Sequence, residues 1–192
     1  MAKKYEFRPD KTGSGILNKL YFTQKQRLSL LKWLLYGVVL LVLSVVQDVI
    51  LCQVRLFGAT TELVPCGIFL ICILEGAERG SVFALISSML YLFSGSAGGP
   101  YSIVLITALG IVAASFRQGY LQKGFSATML CTCGAMILYE IMTFFMVLFL
   151  GLTNFARFGG FCITAALSLL AAPVLYPIAK AIGTIGGETW KE

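Results

Sequence analysis

The chain has 192 residues, 58% of them hydrophobic and only 12% charged, with 15 Lys and Arg against 9 Asp and Glu. Its mean hydropathy is +0.86. Soluble domains carry about 25% charged residues, so this composition excludes an ordinary soluble fold. The chain has no histidine, so zinc sites and Ser-His or Cys-His catalysis lose their usual partner. The apolar runs are continuous rather than alternating, which excludes a transmembrane barrel and leaves helices.

Residues 1–32 are polar and basic. They form the expected cytoplasmic segment, followed by a transmembrane domain over 33–182 and a short cytoplasmic tail over 183–192. No cleavable signal peptide is expected, because the apolar run from Trp33 is too long for a signal h-region. Residues 1–13 read as disordered. From Ser14, the positions Leu17, Leu20, Tyr21, Gln24, Leu28 and Leu31 share one helical stripe. An amphipathic helix on the anionic inner leaflet and a solvated basic tail are equally compatible with that pattern.

Six spans follow, over Trp33–Gln53, Leu63–Leu74, Gly80–Phe93, Tyr101–Phe116, Phe125–Leu150 and Gly159–Ala181. The expected fold class is therefore all-α: a polytopic membrane bundle with both termini in the cytoplasm. Spans two and three are short for a bilayer, since about 13 residues reach only about 20 Å. A tight hairpin through Glu75–Arg79, a locally thinned bilayer and a re-entrant pair all fit. Orientation comes from the basic residues: 13 fall on the side of the N-terminus, and only Arg55 and Arg157 on the other. The positive-inside rule places the 13 in the cytoplasm.

Two acids lie within apolar spans, Asp48 and Glu140. Intramembrane carboxylates are costly and so are functional candidates by default. Counted from the inner ends of their spans, both sit about 22–24 Å deep. A shared polar cluster with Gln47, Tyr139 and Arg55 or Arg157 is one reading; two separate carboxylates, each hydrogen-bonded to a neighbouring helix or snorkelling outward, is the favoured one. Glu75, Glu78 and Arg79 gather at the turn between spans two and three, with Glu75 and Arg79 at the spacing of a helical ion pair. A structural turn or docking surface is expected there rather than acid–base chemistry.

Ser94 to Pro100 reads as a turn, lacking the lysine and spacing of a phosphate-binding loop. Small residues at helical spacing, Gly110 with Ala114 and Ser168 with Ala172, allow close helix contact, and internal packing is the favoured use. Pro173 and Pro177 predict a kink in span six. The six cysteines lie in or beside apolar runs and read as small hydrophobes. Cys131 and Cys133 have the wrong spacing for a CxxC pair. No catalytic residue, cofactor site or metal site is expected, and no nucleic-acid partner.

One resemblance adds to this reading. The chain carries Gln47 at the end of span one, then Leu56-Phe57-Gly58-Ala59, Glu62 and Pro65. The hairpin Leu74 to Phe83 is followed by Leu92-Phe93-Ser94-Gly95 and Gly99-Pro100. Leu138-Tyr139-Glu140 and Pro173-Val174-Leu175-Tyr176-Pro177 complete the order. Over residues 33–180 this series resembles MreD, the rod shape-determining membrane protein family. Ala84, Ser87 and Ser88 stand where that family carries glycines, and Tyr91 stands near the position of a family acid, so that acid's role does not transfer. The resemblance implies a non-enzymatic component of the bacterial cell-elongation machinery in the cytoplasmic membrane. It also implies association with an MreC-like scaffold, and through it with MreB and the wall polymerase–transpeptidase complex. The other expectation compatible with size and span number is the substrate-binding S component of an energy-coupling-factor vitamin transporter. Those proteins typically dock through an Ala-xxx-Ala motif in span one, which Leu34 to Ser44 lacks.

Overall fold

The computed structural model describes residues 24–51, 53, 59–121 and 124–185. It is 85% helical and contains no strand among the described residues. Six main helices follow in chain order: α1 (Gln24–Val45), α2 (Leu63–Glu75), α3 (Ala77–Phe93), α4 (Tyr101–Tyr120), α5 (Phe125–Phe149) and α6 (Phe158–Gly183). A π-helical turn, Val46–Leu51, prolongs α1, and a 3-10 turn, Phe155–Arg157, leads into α6. Four stretches are long and apolar enough to cross a membrane: Arg27–Leu51, Tyr101–Tyr120, Phe125–Phe149 and Phe155–Gly183. The chain is a membrane helical bundle.

The first expected span begins earlier than its apolar run. α1 is continuous from Gln24, so residues 24–32 belong to the same rod as Trp33 to Val45. Most of the expected amphipathic segment from Ser14, like the tail beyond 185, lies outside the described residues. So do Cys52 and Arg55.

α2 is the axis of the bundle. Every residue from Leu63 to Leu74 is buried, and α1, α3, α4, α5 and α6 all pack around it. A helix that is apolar on every face is stable only inside such a ring. At 13 residues it is about 20 Å long, against a hydrocarbon core of about 30 Å. α3, with 17 residues, reaches about 26 Å.

α2 and α3 are joined by a tight turn. Gly76 alone separates α2 from α3, at φ +91°, a left-handed conformation that favours glycine. The Gln118 side chain of α4 fills the space where a Cβ would stand. α3 then returns against α2 at closest approach through Gly80. A Cβ there would lie 2.6 Å from the Cys72 carbonyl oxygen and 2.9 Å from its Cα. Gly110 of α4 completes this seam: its Cβ position is 3.3 Å from Cys72 Sγ, and Ala114 is fully buried. Ser168 and Ala172 of α6 are buried too. Both small-residue pairs therefore serve internal packing. Pro173 and Pro177 lie within one continuous helix.

Gly80→Ala should force α2 and α3 apart and lower stability by about 1–3 kcal/mol, the usual cost of overpacking a close helix contact. Gly37→Ala is the control, since nothing lies within 4 Å of its Cβ position. Denaturant titration of the two variants in detergent should show a loss for the first and none for the second.

Candidate functional site

A helix that starts and stops in an apolar medium leaves its first N–H and last C=O groups without partners. The neighbours of α2 supply them. At its N-terminus, Val64 N–H donates to Gln47 Oε1 of the π turn at 3.0 Å, and Glu62 N–H donates to Ser168 Oγ of α6 at 2.8 Å. Pro65 in the first turn has no N–H to satisfy. At the C-terminus, Arg117 of α4 donates to the Ile73 carbonyl, and Gly76 N–H donates to the Cys72 carbonyl at 3.0 Å. Two polar layers thus bracket an apolar middle in which Phe69 meets Tyr139 edge-on, their ring centroids 5.9 Å apart.

The layer at the hairpin end is a buried ion pair. Lys32 Nζ contacts Glu75 Oε2 at 2.6 Å, with 9% and 3% of their side-chain surfaces exposed. Tyr36 OH donates to Glu75 Oε1 at 2.8 Å and lies 3.2 Å from the Ala179 carbonyl oxygen of α6. Glu75 therefore ties α2 to α1, and Tyr36 extends the link to α6. This corrects the expected Glu75–Arg79 helical pair: the four-residue spacing straddles Gly76, where one helix ends and the next begins. Glu78 and Arg79 stand exposed on the first turn of α3.

The layer at the far end gathers the intramembrane acids. Gln47 Nε2 lies 3.4 Å from Tyr91 OH of α3. Asp48 accepts from Ser96 Oγ at 2.8 Å and from Ser44 Oγ at 3.4 Å, pinning the Ser94–Pro100 turn to α1. Glu140 is 3% exposed and has the Glu62 carboxyl as its charged neighbour. Glu62 in turn lies beside Tyr139. Glu62, Glu140 and Asp48 are all near enough to Tyr91 to act on its hydroxyl electrostatically.

Asp48 and Glu140 lie at the same end of the bundle as Gln47 and Tyr139, but they do not pair with each other. Asp48 is exposed and held by serines, whereas Glu140 is buried. Sequence reasoning about the intramembrane acids passed over Glu62. The signal was present: an acid opening an apolar run too short to span must itself lie at membrane depth. Lys32 was likewise counted only as a topology charge, although it precedes the first aromatic of the span.

Between α1 and α3 lies a groove of about 920 Å³, running from Glu78 and Arg79 past Gly37, Leu40 and Ile86 to Tyr91 and Ser94, with Val64 of α2 on its floor. Trp33 against Phe83, centroids 5.5 Å apart, bridges the two helices at one end. A smaller cavity of about 280 Å³ lies between α5 and α6 beside Glu140 and Phe161. Among the described residues, no group of three or more Cys, Asp or Glu side chains could hold a metal ion.

No protein-family model, curated protein or solved structure matches this chain.

Removing one partner of the buried pair should leave an uncompensated charge. Lys32→Met and Glu75→Gln are each expected to cost about 3–5 kcal/mol, while Lys32→Met combined with Glu75→Leu should recover most of the loss. Equilibrium denaturation of the three variants in one detergent distinguishes this from additive damage.

Proposed function

We propose that this protein is a non-enzymatic scaffold of the bacterial cell-elongation machinery, an MreD-like component of the cytoplasmic membrane. In this reading it captures the transmembrane helix of an MreC-like partner and so helps to organise MreB and the wall polymerase–transpeptidase complex. The observation that carries this reading is the groove between α1 and α3. It runs from the hairpin end of α3 to the turn at its far end, and its walls are apolar over most of that length. Gly37 faces it with open space where a side chain would stand. Small residues on a groove wall let a second helix approach closely without a hydrophobic driving force. A groove open along its side to the bilayer suits a helix better than it suits a small solute, which is usually enclosed on most of its surface.

The order of motifs from Gln47 to Pro177 supports the same assignment. With the hairpin end in the cytoplasm, as the basic residues place it, Glu78 and Arg79 stand at the cytoplasmic mouth of the groove.

Depletion of the protein should abolish rod shape, and an MreC-like protein should co-purify with it from mild detergent. Gly37→Leu fills the groove without touching the α2 ring. It should reduce that co-purification at least about tenfold, equivalent to about 1.4 kcal/mol, while the melting profile stays unchanged. Normal cell shape on depletion, or full partner recovery by Gly37→Leu, would sink the assignment or its placement respectively.

A further inference from the structure

Between Trp33 at one end and Tyr91 at the other, the wall of the α1–α3 groove carries two polar side chains, Ser44 and Ser87. They stand at one height. Gln47 Nε2 lies 3.4 Å from Tyr91 OH, which sets the level of α1 against α3. Ser44 is three residues before Gln47 and Ser87 is four before Tyr91. Both are therefore about one turn nearer the hairpin end than that contact. Ser87 is 4% exposed. Ser44 Oγ donates to Asp48 Oδ2 at 3.4 Å, longer than an ordinary bond between two oxygens.

Charge on the groove wall is confined to its hairpin-end mouth, at Glu78 and Arg79. At the level of the two serines a charged side chain of an incoming helix would find no counter-charge on this wall, and burying it there is costly. A wholly apolar occupant, a leucine face or an acyl chain, would cover both hydroxyls and offer them nothing. A neutral polar side chain answers both objections, because each hydroxyl can donate to it and accept from it. Gly37 adds the register. It precedes Ser44 by seven residues, two turns on the same face of α1, and has open space at its Cβ position. Packed helices repeat their contacts at this seven-residue interval.

We propose that the groove selects a transmembrane helix bearing a neutral hydrogen-bonding side chain, Ser, Thr, Asn or Gln, which seats between Ser44 and Ser87 two turns from the closest approach at Gly37. Selection of this kind presupposes that the groove is a helix seat, and it names the chemistry that chooses the helix. Apolar contact with the rest of the wall holds a helix no better than lipid does, so the polar contact is what distinguishes the partner from other spans.

The test is photo-cross-linking of the full chain in native membranes, with p-benzoylphenylalanine in place of Leu41, an exposed residue of the groove wall one turn from Ser44. The same probe in place of Leu130, exposed on α5, reports contacts off the groove. Peptide mass spectrometry of the Leu41 adduct should give a transmembrane segment with Ser, Thr, Asn or Gln within about two turns of the cross-linked residue. Ser44→Ala combined with Ser87→Ala should lower capture of that segment about threefold, the ordinary strength of a hydrogen bond between membrane helices. Alanine at the partner's polar residue should cost the same, and the combined variants no more. Ser88→Ala is the control for damage to α3, since its hydroxyl bonds the Leu85 carbonyl at 3.0 Å within that helix, and capture should not change. A captured helix without such a residue, indifference to the serine variants, or losses that add would overturn the polar selection and leave the groove as a helix seat. Adducts at Leu41 with lipid alone would overturn both.

Discussion

The structure depends on hydrogen-bonding both ends of α2 away from water. Thirteen residues cannot cross a bilayer core, so at least one terminus of this helix opens inside the apolar region. Each unsatisfied backbone group there costs several kcal/mol. Most of the polar chemistry in the described bundle follows from that demand. Gln47 and Ser168 serve the N-terminus, and Arg117 serves the last turn. Each server comes from a different helix, so satisfying α2 also fixes α1, α6 and α4 in height and rotation. The apolar ring gives no comparable register, because lipid tails compete with any aliphatic surface on equal terms.

The depth shared by the acids has the same origin. Asp48 lies 16 residues from Lys32, and Glu62 lies 13 from Glu75. Since Lys32 and Glu75 are bonded to each other, both counts start from one level. They end about 20–24 Å above it. Glu140, on α5, is near enough to Glu62 for their charges to interact. The far-end layer is therefore a consequence of the length of α2. A longer helix would have lifted Glu62 to the interface and left Glu140 as a solitary buried acid.

Much of this was legible in the sequence, and what was not has a common physical cause. The helices at Leu63, Tyr101 and Phe125 begin where the apolar runs begin, because backbone in lipid has no alternative to helix. Gln47 and Tyr139 could be placed with the acids by counting rise per residue. Counting does not give rotation about the helix axis, which decides partners. Asp48 turns to Ser96, whereas Glu140 lines the cavity between α5 and α6. The Glu75–Arg79 pairing failed for a local reason. The i to i+4 rule holds only within one helix, and Gly76 at positive φ ends it. Lys32 was hidden by the same habit of treating basic residues before a span as topology signals. Its side chain reaches inward to Glu75 because α1 starts a full two turns before the apolar run does.

The groove follows from how α1 is attached. Trp33 on Phe83 joins α1 to α3 near one end, and Gln47 with Tyr91 and Asp48 with Ser96 join them at the other. Between these points Gly37 and Ser44 offer too little volume to close the gap, and the floor is reached only at Val64. The π turn sharpens the contrast. By adding a residue to the helical turn, it lets adjacent Gln47 and Asp48 address two different neighbours, α2 and the Ser94–Pro100 turn, and π segments of this kind recur at functional sites. A helix pinned at both ends and open in the middle is a preformed seat rather than a plastic one. Nothing has to melt for a partner to enter, so binding need not offset a conformational cost beyond displacing lipid. On the opposite side of the bundle the gap between α5 and α6 is smaller, a cavity of about 280 Å³ beside Glu140, too small to seat a helix along its length.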